Sequence, residues 1–129
     1  MLDTNIIISI MVFDSKLLKD LLLKINDNYK LVLSSVIIDE LNDVIKNKFP
    51  GKTTFVNIFL KKLNYEFYIL DKNDYYNNDF YIRDKNDLPI LQSAIKSKCD
   101  IFITGDKDFY GLLIPGLTII SPRDFINRY

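Results

Sequence analysis

Four carboxylates, Asp3, Glu40, Asp87 and Asp106, stand out because each falls where a chain of alternating strands and helices could present it. Asp3 follows Met1-Leu2 and opens the polar turn Asp3-Thr4-Asn5. Asp106 closes the turn Thr104-Gly105-Asp106, just past the apolar run Ile101-Phe102-Ile103. Glu40 lies in a helical stretch after Leu31-Val32-Leu33, and Asp87 directly precedes the helical run Leu88, Leu91, Ala94 and Ile95. At about 100° per residue, Glu40 falls about 40° from Val44 and about 60° from Ile37, bordering the apolar stripe rather than facing open water. Converging carboxylates raise one another's pKa and destabilise a fold unless a cation neutralises them. All-oxygen ligands suit Mg²⁺ or Mn²⁺ better than zinc. Such an ion activates water and clamps phosphoryl oxygens, so phosphodiester hydrolysis is the chemistry this pattern would support.

The composition narrows the field further. The chain contains no histidine. That removes His-based acid–base catalysis, Ser-His-Asp and Cys-His nucleophile pairs, and nearly all zinc chemistry. The single cysteine, Cys99, excludes an intrachain disulfide and reads as a small buried or half-buried side chain. Lys and Arg number 17 and Asp and Glu 17, for a net charge of zero, so any nucleic-acid contact must be local or shared with a partner. No apolar run approaches the roughly 18 residues of a membrane span, and an acid at position 3 argues against a signal peptide. A soluble cytoplasmic protein of one domain, residues 1–129, is expected.

The elements that must position the acids follow from periodicity. Ser15 is expected to cap a helix over Leu17, Leu18, Leu21, Leu22 and Ile25. Ser35 is expected to cap a second, with Ile37, Ile38, Leu41, Val44 and Ile45 on one face, stopped at Phe49-Pro50-Gly51. Thr53 or Thr54 would cap a third through Phe55, Ile58, Phe59 and Leu63. Strands are expected at Leu31–Leu33, Tyr65–Leu70, Ile101–Ile103 and Leu117–Ile120, with a loop or poorly formed helix over residues 71–84. Pro89 is tolerated in the first turn of the helix after Asp87, and Ser121-Pro122-Arg123-Asp124 is a well-formed helix start. The strands are short, continuous apolar runs alternating with helices, the signature of a parallel sheet covered on both faces. Ligands bind such sheets beyond the carboxyl ends of the strands.

Taken singly, each acid has an ordinary reading: Asp87 as a helix cap, Asp106 and Asp3 as turn acids, Glu40 as a surface glutamate. The ordered set is more specific. M-L-D-T-N-I-I-I-S, L-S-S-V-I-I-D-E-L with Glu40, R-D-K-N-D-L-P-I-L-Q-S-A with Asp87, D-I-F-I-T-G-D-K-D-F with Asp106 and Asp108, and the ending I-I-S-P-R-D-F resemble PIN-domain proteins over essentially the whole chain. The likeness is closest to toxin components of bacterial and archaeal type II toxin–antitoxin pairs. It implies a three-layer α/β/α sandwich with a parallel central sheet of four to five strands. It also implies a ribonuclease site using Mg²⁺ or Mn²⁺ on single-stranded or structured RNA. Asp3, Glu40, Asp87 and Asp106 would be the catalytic, metal-binding quartet, Asp108 an auxiliary metal ligand, and Asn5 and Thr104 hydrogen-bonding supports. A small antitoxin partner and a homodimer would fit the family.

Two departures from the family pattern stand out. Only Met1 and Leu2 precede Asp3, where relatives commonly have a few more apolar residues, so either the central strand is short or the true start lies upstream. Asp84 competes with Asp87 for the third position; Asp87 is preferred because it adjoins the apolar helical run, leaving Asp84 as a loop ion pair with Arg83 or a helper. Tyr75, Tyr76, Phe80 and Tyr81 could stack on bases, although packing is the commoner use of such aromatics. Lys46, Lys48 and Lys52 could meet phosphates or simply mark solvated helix ends. The competing function is a catalytically weak PIN-like module that binds RNA or a protein partner. A phosphoacceptor domain is disfavoured, since Asp3-Thr4-Asn5 lacks a second aspartate and Ser121-Pro122-Arg123 supplies no lysine after the last strand.

Overall fold

The computed structural model describes residues 1–76 and 81–129, so Phe80 lies outside the described residues. In chain order the elements are α1 (Thr4–Val12), α2 (Lys16–Asn28), β1 (Val32–Ser34), α3 (Ser35–Lys48), α4 (Thr53–Lys62), β2 (Glu66–Tyr68), α5 (Leu88–Lys96), β3 (Ile101–Ile103), β4 (Thr118–Ile120) and α6 (Pro122–Arg128). Short 3₁₀ turns at Lys72–Asp74, Lys85–Asp87 and Lys107–Phe109 connect them.

The strands form where the apolar runs predicted them, and they pair in parallel. β1 runs beside β2 with Val32 opposite Glu66, and β3 beside β4 with Ile101 opposite Thr118. The hydrogen bonds do not join these pairs into the four- to five-stranded sheet expected from the sequence. Instead, among the described residues there are two parallel pairs, and Leu2 makes a single parallel bridge to Ile103 on the free side of β3. The reason is local. The chain turns into α1 directly after Asp3, so the first strand contributes one bridge flanked by bonds from Ile103 N–H to the Met1 carbonyl (2.9 Å) and from Asp3 N–H to the Ile103 carbonyl (3.0 Å). A cleft of about 380 Å³ opens at the amino ends of the strands, between Leu31-Val32 and Cys99–Ile101. The Met1 ammonium, bonded to the Ile101 carbonyl at 2.7 Å, sits at its wall, and burial pulls its pKa down.

One apolar core runs through the molecule. Leu2, Ile7, Leu21, Leu33, Ile37, Leu41, Leu91 and Phe102 are its fully buried centre. Helices α1 and α3 pack together and α3 also meets α4 and α5, while α2 packs on α6. No helix among the described residues is long and apolar enough to cross a membrane.

The caps agree with the sequence in two places and differ in two. Ser15 and Ser121 accept bonds from Leu18 N–H and Asp124 N–H as expected. Ser34, not Ser35, caps α3: its buried hydroxyl accepts from Ile37 N–H at 3.2 Å. Ser35 is already helical and accepts from Leu70 N–H (3.0 Å), tying α3 to the end of the β2 segment. For α4 the cap is Lys52; Thr53 opens the helix and donates to the Pro50 carbonyl. Because α3 carries Glu40, its start matters for the site. Ser34→Ala should cost about 1 kcal/mol, and up to about 2 because the freed N–H is buried, in urea unfolding. An unchanged midpoint would show that the cap contributes nothing.

Candidate active site

The acids are placed by backbone devices at the carboxyl ends of the strands. Asp3 is the N-cap residue of α1, yet its side chain makes no capping bond and points elsewhere. It is buried, and its Oδ2 accepts a 2.6 Å bond from the hydroxyl of Thr104, itself fully buried one residue past β3. Thr104 Oγ1 also accepts from Asp106 N–H at 3.0 Å, so one hydroxyl fixes both Asp3 and the turn that carries Asp106. Tyr110 donates from its phenol to the Thr104 carbonyl at 2.7 Å, closing the turn from the other side. Asp106 Oδ1 accepts from Asp108 N–H at 2.9 Å, the capping bond of the turn Lys107–Phe109.

Asp87 ends the turn Lys85–Asp87 and precedes α5; its carboxylate makes no capping bond. Carboxylate oxygens of Asp87, Asp106 and Asp108 all lie within 4.8 Å of one another. Asp84 is exposed and engaged in its own cap, accepting from Asn86 N–H at 2.9 Å, whereas Asp87 is the one of the two that groups with Asp106 and Asp108. Arg83 bonds not to its neighbour Asp84 but to Asp108. Glu40 is half-buried on α3, and Asn5 is exposed at the start of α1 with no side-chain hydrogen bond among the described residues.

The electrostatics show that the acids share one environment. Burial pushes Asp87 up to about 6, helped by Asp106, Asp84, Asp3 and Asp108 in that order. Burial also raises Glu40, and the next causes are the charges of Asp3 and Asp87. Asp3 is raised by burial, opposed by the Thr104 bond and reinforced by Asp106. Thus Asp3 and Glu40, outside the tightest group of three, feel the same field. The hydroxyl of Thr4, beside Glu40, is completely buried without a partner at hydrogen-bonding distance. An orphaned buried hydroxyl beside mutually repelling, oxygen-only donors fits a hard divalent cation.

Sequence reasoning missed three of these residues. Thr4 and Tyr110 carry no type-based signal and act through burial. Arg83 bonds Asp108 and not its sequence neighbour Asp84, because adjacency in the chain does not fix which acid a long side chain reaches in space. Among the other candidates, Tyr76 and Tyr81 are exposed and Tyr75 meets Tyr76 edge-on at 6.4 Å. Lys46 and Lys48 are exposed in the last turn of α3, and Lys52 lies over the Phe55 ring at 5.6 Å. Cys99 is half-buried, as expected.

The PIN-domain family profile matches residues 1–108, a span that contains all five acids. The chain belongs to the PIN-domain family. Among solved structures, this PIN domain is similar to VapBC2 from Rickettsia felis, solved bound to a DNA fragment from their promoter, with a TM-score of 0.73 and 23% identity. The match covers 94% of this chain and 96% of that one, and shows a shared fold. No curated protein matches the chain.

The raised acids make stability depend on pH with a definite sign. With Asp87 at about 6 in the fold instead of 3.8, its protonated form favours the folded, metal-free protein below pH 3.8, and that contribution is lost as pH rises through 6. In EDTA the melting temperature of Asp87→Asn should therefore exceed that of the wild type at pH 7 and converge with it near pH 4. The difference should be on the order of 1 kcal/mol once solvent screening of a partly exposed group is allowed for. A gap that widens toward acid pH would contradict this.

Proposed function

We propose that this PIN domain is a metal-dependent ribonuclease that hydrolyses RNA phosphodiester bonds with Mg²⁺ or Mn²⁺, the toxin of a toxin–antitoxin pair. The observation that carries the reading is the convergence of Asp87, Asp106 and Asp108 carboxylate oxygens within 4.8 Å, coupled to Asp3 and Glu40. Asp3, Glu40, Asp87 and Asp106 are the catalytic quartet, with Asp87, Asp106 and Asp108 the first to hold an ion. A bound divalent cation would lower the pKa of water and polarise a phosphoryl oxygen. The protein's own residues supply the rest. Thr104 holds Asp3 and Asp106 in register, and Glu40, its affinity for a proton raised by burial, accepts the proton given up by the attacking water.

The whole of residues 1–129 forms one nuclease domain in this reading, acting in the cytoplasm. The VapBC2 neighbour, named as a pair and solved on its promoter DNA, supports a small antitoxin partner here. A homodimer is consistent with the family. The test is incubation of the purified protein with short labelled RNAs, single-stranded and hairpin. Cleavage with Mn²⁺ or Mg²⁺ that EDTA abolishes is expected. No cleavage of any RNA with Mn²⁺ present, or cleavage indifferent to EDTA, would overturn the reading.

A further inference from the structure

Among the described residues, one cation forms an ion pair with an acid of the site. Arg83 reaches 25 residues along the chain to Asp108, placing Nε and Nη2 each 2.8 Å from the same oxygen, Oδ2. Among the described residues no other lysine or arginine forms an ion pair with Asp3, Glu40, Asp84, Asp87, Asp106 or Asp108. The arginine side chain is 78% exposed and that of Asp108 22%. A pair so exposed adds little to stability, so fold maintenance does not account for it. Its effect is positional: the Nε–Nη2 edge of the guanidinium is tied to Asp108, on a side chain that is otherwise largely exposed. Asp106 and Asp84 add to the pull of Asp108 in keeping it charged.

An RNA strand approaching this site meets a field of carboxylates, in a protein with no net positive charge to draw it in. We propose that Arg83, tethered by Asp108, is the substrate-binding residue that clamps a phosphate of the RNA backbone at the entrance to the site. The assignment rests on the ribonuclease reading above and adds the group that holds its substrate. A planar guanidinium with free N–H groups matches a phosphate's two non-bridging oxygens, which an ammonium does not.

The test compares wild type, Arg83→Gln and Arg83→Lys for binding a short fluorescein-labelled single-stranded RNA by anisotropy. Ca²⁺ replaces Mg²⁺ and Mn²⁺, and gels confirm that the probe stays whole. Arg83→Gln should weaken binding about tenfold and reduce the slope of log Kd against log salt by about 0.7, the value for one phosphate contact on a single strand. Arg83→Lys should keep the slope and recover part of the affinity. Melting temperature should stay within about 2 °C of wild type, since the exposed pair contributes little to stability, and Mn²⁺ affinity by calorimetry should not fall, since the substitution takes a positive charge away from Asp108. RNA affinity and salt slope unchanged in Arg83→Gln would overturn the proposal, as would a loss of affinity that merely tracks lost Mn²⁺ binding or melting. A wild type that binds RNA through Arg83 but cuts none would instead sink the nuclease reading and leave this one standing.

Discussion

Replacing Asp106 with asparagine is expected to lower Mn²⁺-dependent RNA cleavage about 10³-fold, equivalent to about 4 kcal/mol of transition-state stabilisation. The substitution is discriminating because asparagine keeps a carbonyl oxygen where Asp106 Oδ1 accepts from Asp108 N–H at 2.9 Å. The turn Lys107–Phe109 therefore retains its cap, and the loss is of charge rather than of shape. Asp106 is the largest charge contribution to the raised pKa of Asp87 and also raises Asp3. In EDTA at pH 7 the variant should melt at or above the wild-type temperature, because one repulsive partner has gone. A variant that is both inactive and less stable in EDTA would point to a structural role, and one that cuts RNA at the wild-type rate would refute the metal-borne mechanism.

Phe109→Ala should lower stability by about 3–5 kcal/mol, a drop in melting temperature of roughly 10–20 °C. Phe109 is 1% exposed and meets Phe102 of β3 edge-to-face, with centroids 5.2 Å apart at 88°. It follows Asp108 directly and ends the turn that begins after Asp106, so its ring is the anchor holding both acids over the end of β3. Truncation leaves a cavity under that turn and frees it to move. Activity should then fall further than the folded fraction does at the assay temperature, with weaker Mn²⁺ binding. Phe109→Leu, which keeps most of the volume, should recover most of both. A loss below about 1 kcal/mol would show that the turn is held by its hydrogen bonds alone.

The elements were readable because they rest on local rules. The apolar runs at Leu31–Leu33 and Ile101–Ile103 became parallel strands, one residue shifted in the first case, and the periodic stretches became helices. Ser121 and Ser15 cap as their types suggest, whereas Ser34 displaced Ser35 because adjacent serines offer the same chemistry and the β1 register decides which is buried. How the strands join was not readable in this way: the sequence pointed to one sheet of four to five strands, and the described residues form two pairs. The Met1–Asp3 segment turns into α1 after a single bridge, from Leu2 to Ile103 of β3, too short a pairing for its apolar residues to reveal.

The same division runs through the site. Residue type alone determined that any hydrolysis must proceed without histidine, and the order of motifs named Asp3, Glu40, Asp87 and Asp106. Type and order carry no distances. Only tertiary structure separated Asp87, within 4.8 Å of Asp106 and Asp108, from Asp84, spent on its own turn. Only packing buried the Thr4 hydroxyl beside Glu40 and brought Arg83 across to Asp108. Carboxylate identity is a local property of the chain, whereas the repulsion, burial and pairing that give those carboxylates their chemistry arise between residues far apart in sequence.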